Sequence, residues 1–152
     1  MKKELEKKLH DKYPNLFIEK NLPETQTCMC WGCAHGDGWF DILNDLCGQI
    51  TLVSKDIRFT QIKEKFGTLT VYFDTPNQGD YSTISSLVQV ACERSASTCE
   101  VCGKPGTLNL GGWWKTLCEE CKKRNGYPDD PKSSTRTDKW VDETKEEKDQ
   151  NG

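Results

Sequence analysis

Two C-x-x-C pairs, Cys99-Glu100-Val101-Cys102 and Cys118-Glu119-Glu120-Cys121, stand 15 residues apart in a chain of 152 residues. Two thiolates three positions apart can grip one ion from a tight turn, because the amides of that turn point at the sulfurs. Two such turns complete a tetrahedral four-thiolate shell, the closed geometry of structural zinc. Gly103 follows the first pair where the chain must reverse, and Pro105-Gly106 opens a short hairpin, Thr107 to Leu117, that returns the second pair. After Cys121, Lys122-Lys123-Arg124-Asn125-Gly126-Tyr127-Pro128 reads as a short helix with cations in its last turn, Gly as a stop and Pro beyond. Turn, hairpin, then a second pair opening a helix is the order of a treble clef. The predicted module covers residues 99–126, with Cys99, Cys102, Cys118 and Cys121 around one structural zinc ion.

The remaining cysteines fit the same picture. There are nine in all, an odd count. The N-terminal Met1-Lys2-Lys3-Glu4-Leu5-Glu6 lacks the apolar stretch of a secretory signal, so a cytoplasmic location with reduced thiols is expected, not a disulfide framework. Charged residues interrupt every apolar run well before ~18 residues, which excludes a membrane span. Hydrophobic residues make up only 34% of the chain, so the expected core is thin, with aromatic and thiol side chains supplying part of it. Residues 1–125 carry 16 basic and 16 acidic side chains and residues 126–152 carry 5 and 8, so the net charge of -3 resides in the tail. A neutral body argues against indiscriminate binding to nucleic acid, which needs a cationic excess.

Upstream of the zinc module the pattern predicts an α+β body over residues 1–98, a helix/β-hairpin/helix arrangement. Lys2 to Lys12 reads as a helix with Leu5 and Leu9 on one stripe, ended by Pro14. A second helix runs from Trp39 to about Val53, with Ile42, Leu43, Leu46 and Ile50 in helical phase; Gly48 inside it costs ~1 kcal/mol. A hairpin follows: Ile57 to Lys63, a turn around Lys65-Phe66-Gly67, then Leu69 to Phe73, where Leu69, Val71 and Phe73 face the core and Thr68, Thr70 and Tyr72 the wetter side. A third helix, from about Tyr81 to Ser97, aligns Ile84, Leu87, Val88, Ala91 and Ser95 and leads into the first cysteine pair. Residues 127–152 are charged and polar and read as a flexible tail.

Two further sets of residues invite a functional reading. Cys28, Cys30, Cys33 and His35 are zinc-ligand types within eight residues, but one strand-like segment cannot wrap all four around an ion, and they are expected to act as small buried hydrophobes plus one polar His. The cations Arg58, Lys63 and Lys65 fall in and around the predicted hairpin and Lys115 lies beside Trp113 and Trp114 in the zinc module; with Trp39 they make the candidate partner-binding set. A tryptophan beside cations can stack on a base or nucleotide. Catalysis finds little support. A treble-clef nuclease needs a histidine in its hairpin, and none lies between Cys102 and Cys118. Of the two histidines, His10 is expected to face solvent, and His35 has no nucleophile placed by a motif.

Three stretches, Gly36-Asp37-Gly38-Trp39, Lys63-Glu64-Lys65-Phe66-Gly67-Thr68-Leu69, and Thr98-Cys99-Glu100-Val101-Cys102-Gly103 with Leu117-Cys118, in that order resemble small phage- and prophage-encoded zinc proteins of uncharacterised function. The resemblance spans roughly residues 10–122. In those proteins the last ligand is often His; here it is Cys121, equally competent. The resemblance implies a phage origin and an accessory role in the cytoplasm of an infected bacterium, and it implies no reaction. The expected function is non-enzymatic: binding a host protein or a signalling nucleotide, for example to counter anti-phage defence. The alternative is a zinc-module regulator that binds nucleic acid.

Overall fold

The computed structural model describes residues 1–110 and 114–124; Trp113 and the tail 127–152 lie outside the described residues. Helix α1 spans Lys3–Lys12 and buries Leu9, and its chain end is satisfied by Tyr13 N–H donating to the Leu9 carbonyl at 2.8 Å before Pro14 forbids continuation. His10 departs from expectation. It leans on the Phe17 ring with centroids 4.7 Å apart, and its Nε2 is buried, because this helix packs on its flank instead of floating free.

The segment after α1 runs through short 3-10 turns at Ile18–Asn21 and Met29–Trp31 to a two-residue strand β1, Cys33–Ala34. Strand β1 pairs in parallel with β2 (Arg58–Lys65), Cys33 opposite Ile62 and Ala34 opposite Lys63, and β2 pairs antiparallel with β3 (Thr68–Asp74). A register shift between Phe59 and Gln61 inserts one residue into β2. That bulge lets Phe59 and Ile62, three apart, share the core face, which strict alternation forbids. The turn is built by Phe66 and Gly67, at φ 53° and 83°. Positive φ at both central residues is the conformation whose twist matches a two-residue hairpin, and it projects Phe66 outward.

Helices α2 (Phe40–Val53) and α3 (Gln78–Ser95) pack on each other beside the sheet. The stripe Ile42, Leu43, Leu46 and Ile50 is buried as its phase requires, whereas Trp39 sits in a 3-10 turn, Asp37–Trp39, that precedes α2. Asn77 caps α3 by accepting from Gly79 N–H at 3.0 Å, worth about 1 kcal/mol. Ser95 falls on the apolar stripe of α3 for a reason: its hydroxyl donates to the Cys92 carbonyl and accepts the buried Leu69 N–H at 2.8 Å. A bare amide there would cost about 1–3 kcal/mol. Together these elements enclose one core around Leu9, Phe17, Leu43, Leu46, Phe59 and Ile62.

The C-terminal segment adds β4 (Thr107–Asn109) antiparallel to β5 (Lys115–Leu117), then helix α4 (Glu119–Arg124). This short hairpin stands on the turn of the larger one. The Thr116 hydroxyl donates to the Gly67 carbonyl at 2.6 Å, and a Cβ on Gly67 would collide with the Leu108 side chain. The architecture is mixed helix and strand, α+β, with the cysteine segment seated directly on the body. No helix among the described residues is long and apolar enough to cross a membrane.

Candidate metal centre

The four paired cysteines converge. The sulfurs of Cys99, Cys102, Cys118 and Cys121 all lie within 4.8 Å of one another, and those of Cys102 and Cys118 are 3.5 Å apart. A tetrahedral ion with bonds of ~2.3 Å holds its sulfurs ~3.8 Å apart, so this spacing suits a metal site. Cys99, Cys118 and Cys121 are buried and Cys102 is exposed, giving the cluster one open edge.

Local backbone explains the convergence. Cys99 N–H donates to the Lys104 carbonyl at 2.7 Å and Gly103 N–H to the Cys99 carbonyl at 3.0 Å, which bends residues 99–104 into a tight loop. Gly103 takes φ 83° at the reversal, a conformation that favours glycine. The loop leaves the Lys104 amide aimed at the Cys102 sulfur, and the start of α4 leaves the Cys121 amide aimed at Cys118. The Cys121 amide and neighbouring thiols pull the Cys118 thiol down to about 7, whereas burial and then the adjacent thiols push Cys121 up to about 12. A cation in their midst would displace the thiol protons and stabilise the thiolates, coupling metal binding to folding.

Glu100, between the first two cysteines, is the residue that sequence reasoning missed. It is only 4% exposed, and its carboxylate accepts Gly36 N–H at 2.8 Å and the Lys115 ammonium at 3.1 Å. Its carbonyl accepts Gly38 N–H at 2.7 Å, and the Trp39 indole N–H donates to the Thr98 carbonyl at 2.8 Å. Gly36 and Gly38 are glycines because the loop leaves no room: a Cβ on either would overlap backbone atoms of the loop. The signal was present as a carboxylate between two paired cysteines and a Gly-x-Gly-Trp upstream, but nothing in the sequence pairs the two. The predicted boundary between residues 98 and 99 is thus bridged from both sides: Gly36 and Gly38 N–H donate to Glu100, Gly106 N–H donates to the Ser97 carbonyl, and the Thr116 hydroxyl donates to the Gly67 carbonyl.

The second cysteine set does not converge on a common centre. Met29–Trp31 is a 3-10 turn, not strand, so the predicted alternation fails there. Cys28 is exposed, Cys30 is half-buried with its thiol 3.5 Å from the Thr27 carbonyl, and Cys33 is buried. The expectation of small buried hydrophobes therefore holds for Cys33 and not for Cys28. His35 is buried; its Nδ1 lies 2.8 Å from the Gly36 carbonyl, to which it donates, leaving Nε2 buried without a partner. Burial holds the His35 imidazole below its ordinary pKa, in the neutral form.

The surface set divides. Trp39 is withdrawn from it, since the ring is fully buried and acts as a wedge between body and loop. Arg58 sits at the end of the hairpin away from the turn, bound to the buried Glu19 at 2.9 Å and near Asp74 at 3.9 Å. Lys115 is committed to Glu100. Lys63 and Lys65 stand two positions apart on β2: Lys63 lies 5.9 Å from the Tyr72 ring centroid and Lys65 5.8 Å from that of Phe66, and Phe66 meets Trp114 edge-on at 5.9 Å. Tyr72 was legible as a wet-face residue, whereas the outward Phe66 follows from the turn conformation alone.

No protein-family model matches the chain, and no curated protein or solved structure matches it.

Proposed function

We propose that Cys99, Cys102, Cys118 and Cys121 hold one structural zinc ion in a treble-clef module, and that the protein works by stoichiometric binding and not by turnover. The observation that carries this reading is how the cluster is built into the body. Four thiolates fill a tetrahedral zinc and leave no position for an activated water. The loop that supplies two of them is anchored by Glu100 and Trp39, the pattern of a strut. The histidines support the same conclusion, because Nε2 of both His10 and His35 is buried and cannot reach a substrate.

The setting follows from the motifs that resemble phage-encoded zinc proteins: an accessory factor in the cytoplasm of an infected bacterium. Its partner is a host protein or a signalling nucleotide, and the cation and ring pairs of the large hairpin favour the latter. The alternative of a nucleic-acid-binding regulator draws on the same pairs. Elemental analysis of the purified chain is the direct test of the metal. One zinc per chain, lost on replacing Cys102, supports the reading; none, or retention by Cys102→Ser and Cys118→Ser alike, refutes it. Binding that saturates at a fixed ratio with ligand recovered unchanged supports a binder, and multiple turnovers refute it.

A further inference from the structure

We infer that the outer face of the β2–β3 hairpin binds single-stranded nucleic acid, with Lys63 and Lys65 meeting phosphates and Tyr72 and Phe66 stacking on bases. This deepens the binding reading above and rests on it. Three observations lead here. The core face of the sheet is occupied by Phe59, Ile62, Leu69 and Val71, so register places Gln61, Lys63 and Lys65 of β2 and Thr70 and Tyr72 of β3 on the opposite side. The one strand carboxylate on that side is Asp74, at the far end beside Arg58, since Glu64 points to the core side and accepts Gly67 N–H at 3.0 Å. Among the described residues, neither Lys63 nor Lys65 forms an ion pair, whereas Arg58, Arg94, Lys104 and Lys115 each do.

The repeat along the face selects the ligand. Lys63 with Tyr72 and Lys65 with Phe66 are two cation–ring units, set about 7 Å apart along β2 by the two-residue strand step. Each ammonium lies near the ~6 Å outer limit of a cation–ring attraction, so its charge stays available to an anion. Tyr72 and Phe66 are 43% and 59% exposed, which leaves ring surface open to a flat ligand. A ligand that alternates negative charge with flat apolar surface matches that order, and a strand of nucleotides does so repeatedly where a mononucleotide does so once. A duplex hides its base faces in the stack, so the rings have purchase on unpaired strands only.

The test uses the full chain loaded with zinc, with metal content measured first in every preparation. Fluorescein-labelled twelve-residue oligo-dT and oligo-U, and a duplex of equal length, are titrated by fluorescence anisotropy across a salt series. Expected is binding of the single strands in preference to the duplex, with affinity falling about 25-fold per tenfold rise in salt if two phosphates are neutralised. The oligo-dT and oligo-U arms distinguish DNA from RNA as the source of the strand. Tyr72→Ala should weaken binding about tenfold. Phe66→Asn, which keeps a residue tolerant of positive φ in the turn, should do likewise. Lys63→Ala with Lys65→Ala should flatten the salt dependence. Equal affinity for duplex, variants that bind like the parent, or no oligonucleotide binding by a zinc-replete chain each overturn the inference, as does a captured protein whose binding alone needs this face. A parent chain without zinc instead overturns the metal reading, and the metal assay reports that before any oligonucleotide is added.

Discussion

Gly38→Ala is the most economical perturbation of the joint between the cysteine loop and the body. A Cβ at this position would overlap the Cys99 carbonyl oxygen and lie 2.6 Å from Gly103 N and 2.7 Å from the Glu100 carbonyl carbon. All three are backbone atoms of the cysteine loop, so no side-chain rotation relieves the clash and the loop must move outward. Overpacking of this kind costs about 1–3 kcal/mol. Moving the loop also breaks the Gly38–Glu100 hydrogen bond at 2.7 Å and the Trp39–Thr98 bond at 2.8 Å, each worth about 1 kcal/mol. The expected loss is about 3–5 kcal/mol, a large part of the ~5–15 kcal/mol that holds a typical domain. Urea unfolding of the zinc-loaded chain should show a lower midpoint, and zinc should pass faster to a competing chelator. Gly48→Ala is the matched control: it lies inside α2, where its Cβ meets only the Tyr13 hydroxyl at 3.3 Å, the movable tip of a side chain. That change should be neutral or stabilise by up to ~1 kcal/mol through helix propensity. An alanine at 38 within ~0.5 kcal/mol of the parent, with unchanged zinc release, would refute the claim that the loop is clamped here.

Three other outcomes are expected. Cys102→Ser should release the metal and open residues 99–124 to protease, measured by elemental analysis and limited proteolysis, because the segment's own buried apolar set is little more than Leu108, Leu117 and the cysteines. Arg58→Ala should destabilise by about 1–3 kcal/mol in denaturant, since it strands the buried Glu19 carboxylate, although the half-exposed guanidinium keeps the loss below that of a fully buried pair; a Glu19→Gln background should erase most of the effect. Burial holds His10 and His35 below the ordinary histidine pKa of 6.5, so the unfolded chain binds protons that the folded chain refuses. Stability is then full above that value and falls as pH drops from about 6.5 toward the folded pKa. His35→Asn, whose amide can still donate to Gly36, should flatten that slope relative to the parent in unfolding measured across the same window.

The sequence by itself determined the parts whose physics is local. Spacing alone brought out the four converging cysteines, since two side chains three residues apart need only one tight turn to meet. Helical phase marked Ile42, Leu43, Leu46 and Ile50, and strand alternation marked Leu69 and Val71, because a single periodicity decides which side of an element is apolar. The tertiary structure decided everything that depends on two distant segments touching. Trp39 reads as a surface aromatic until the Thr98 carbonyl, 59 positions away, is found against its indole. Arg58 and Lys115 read as free cations until Glu19 and Glu100 are placed beside them. A carboxylate's partner is set by through-space distance, and no periodicity encodes that. The same fact leaves Lys63 and Lys65 as the cations without a counter-charge among the described residues of the hairpin face, which only the folded chain could reveal.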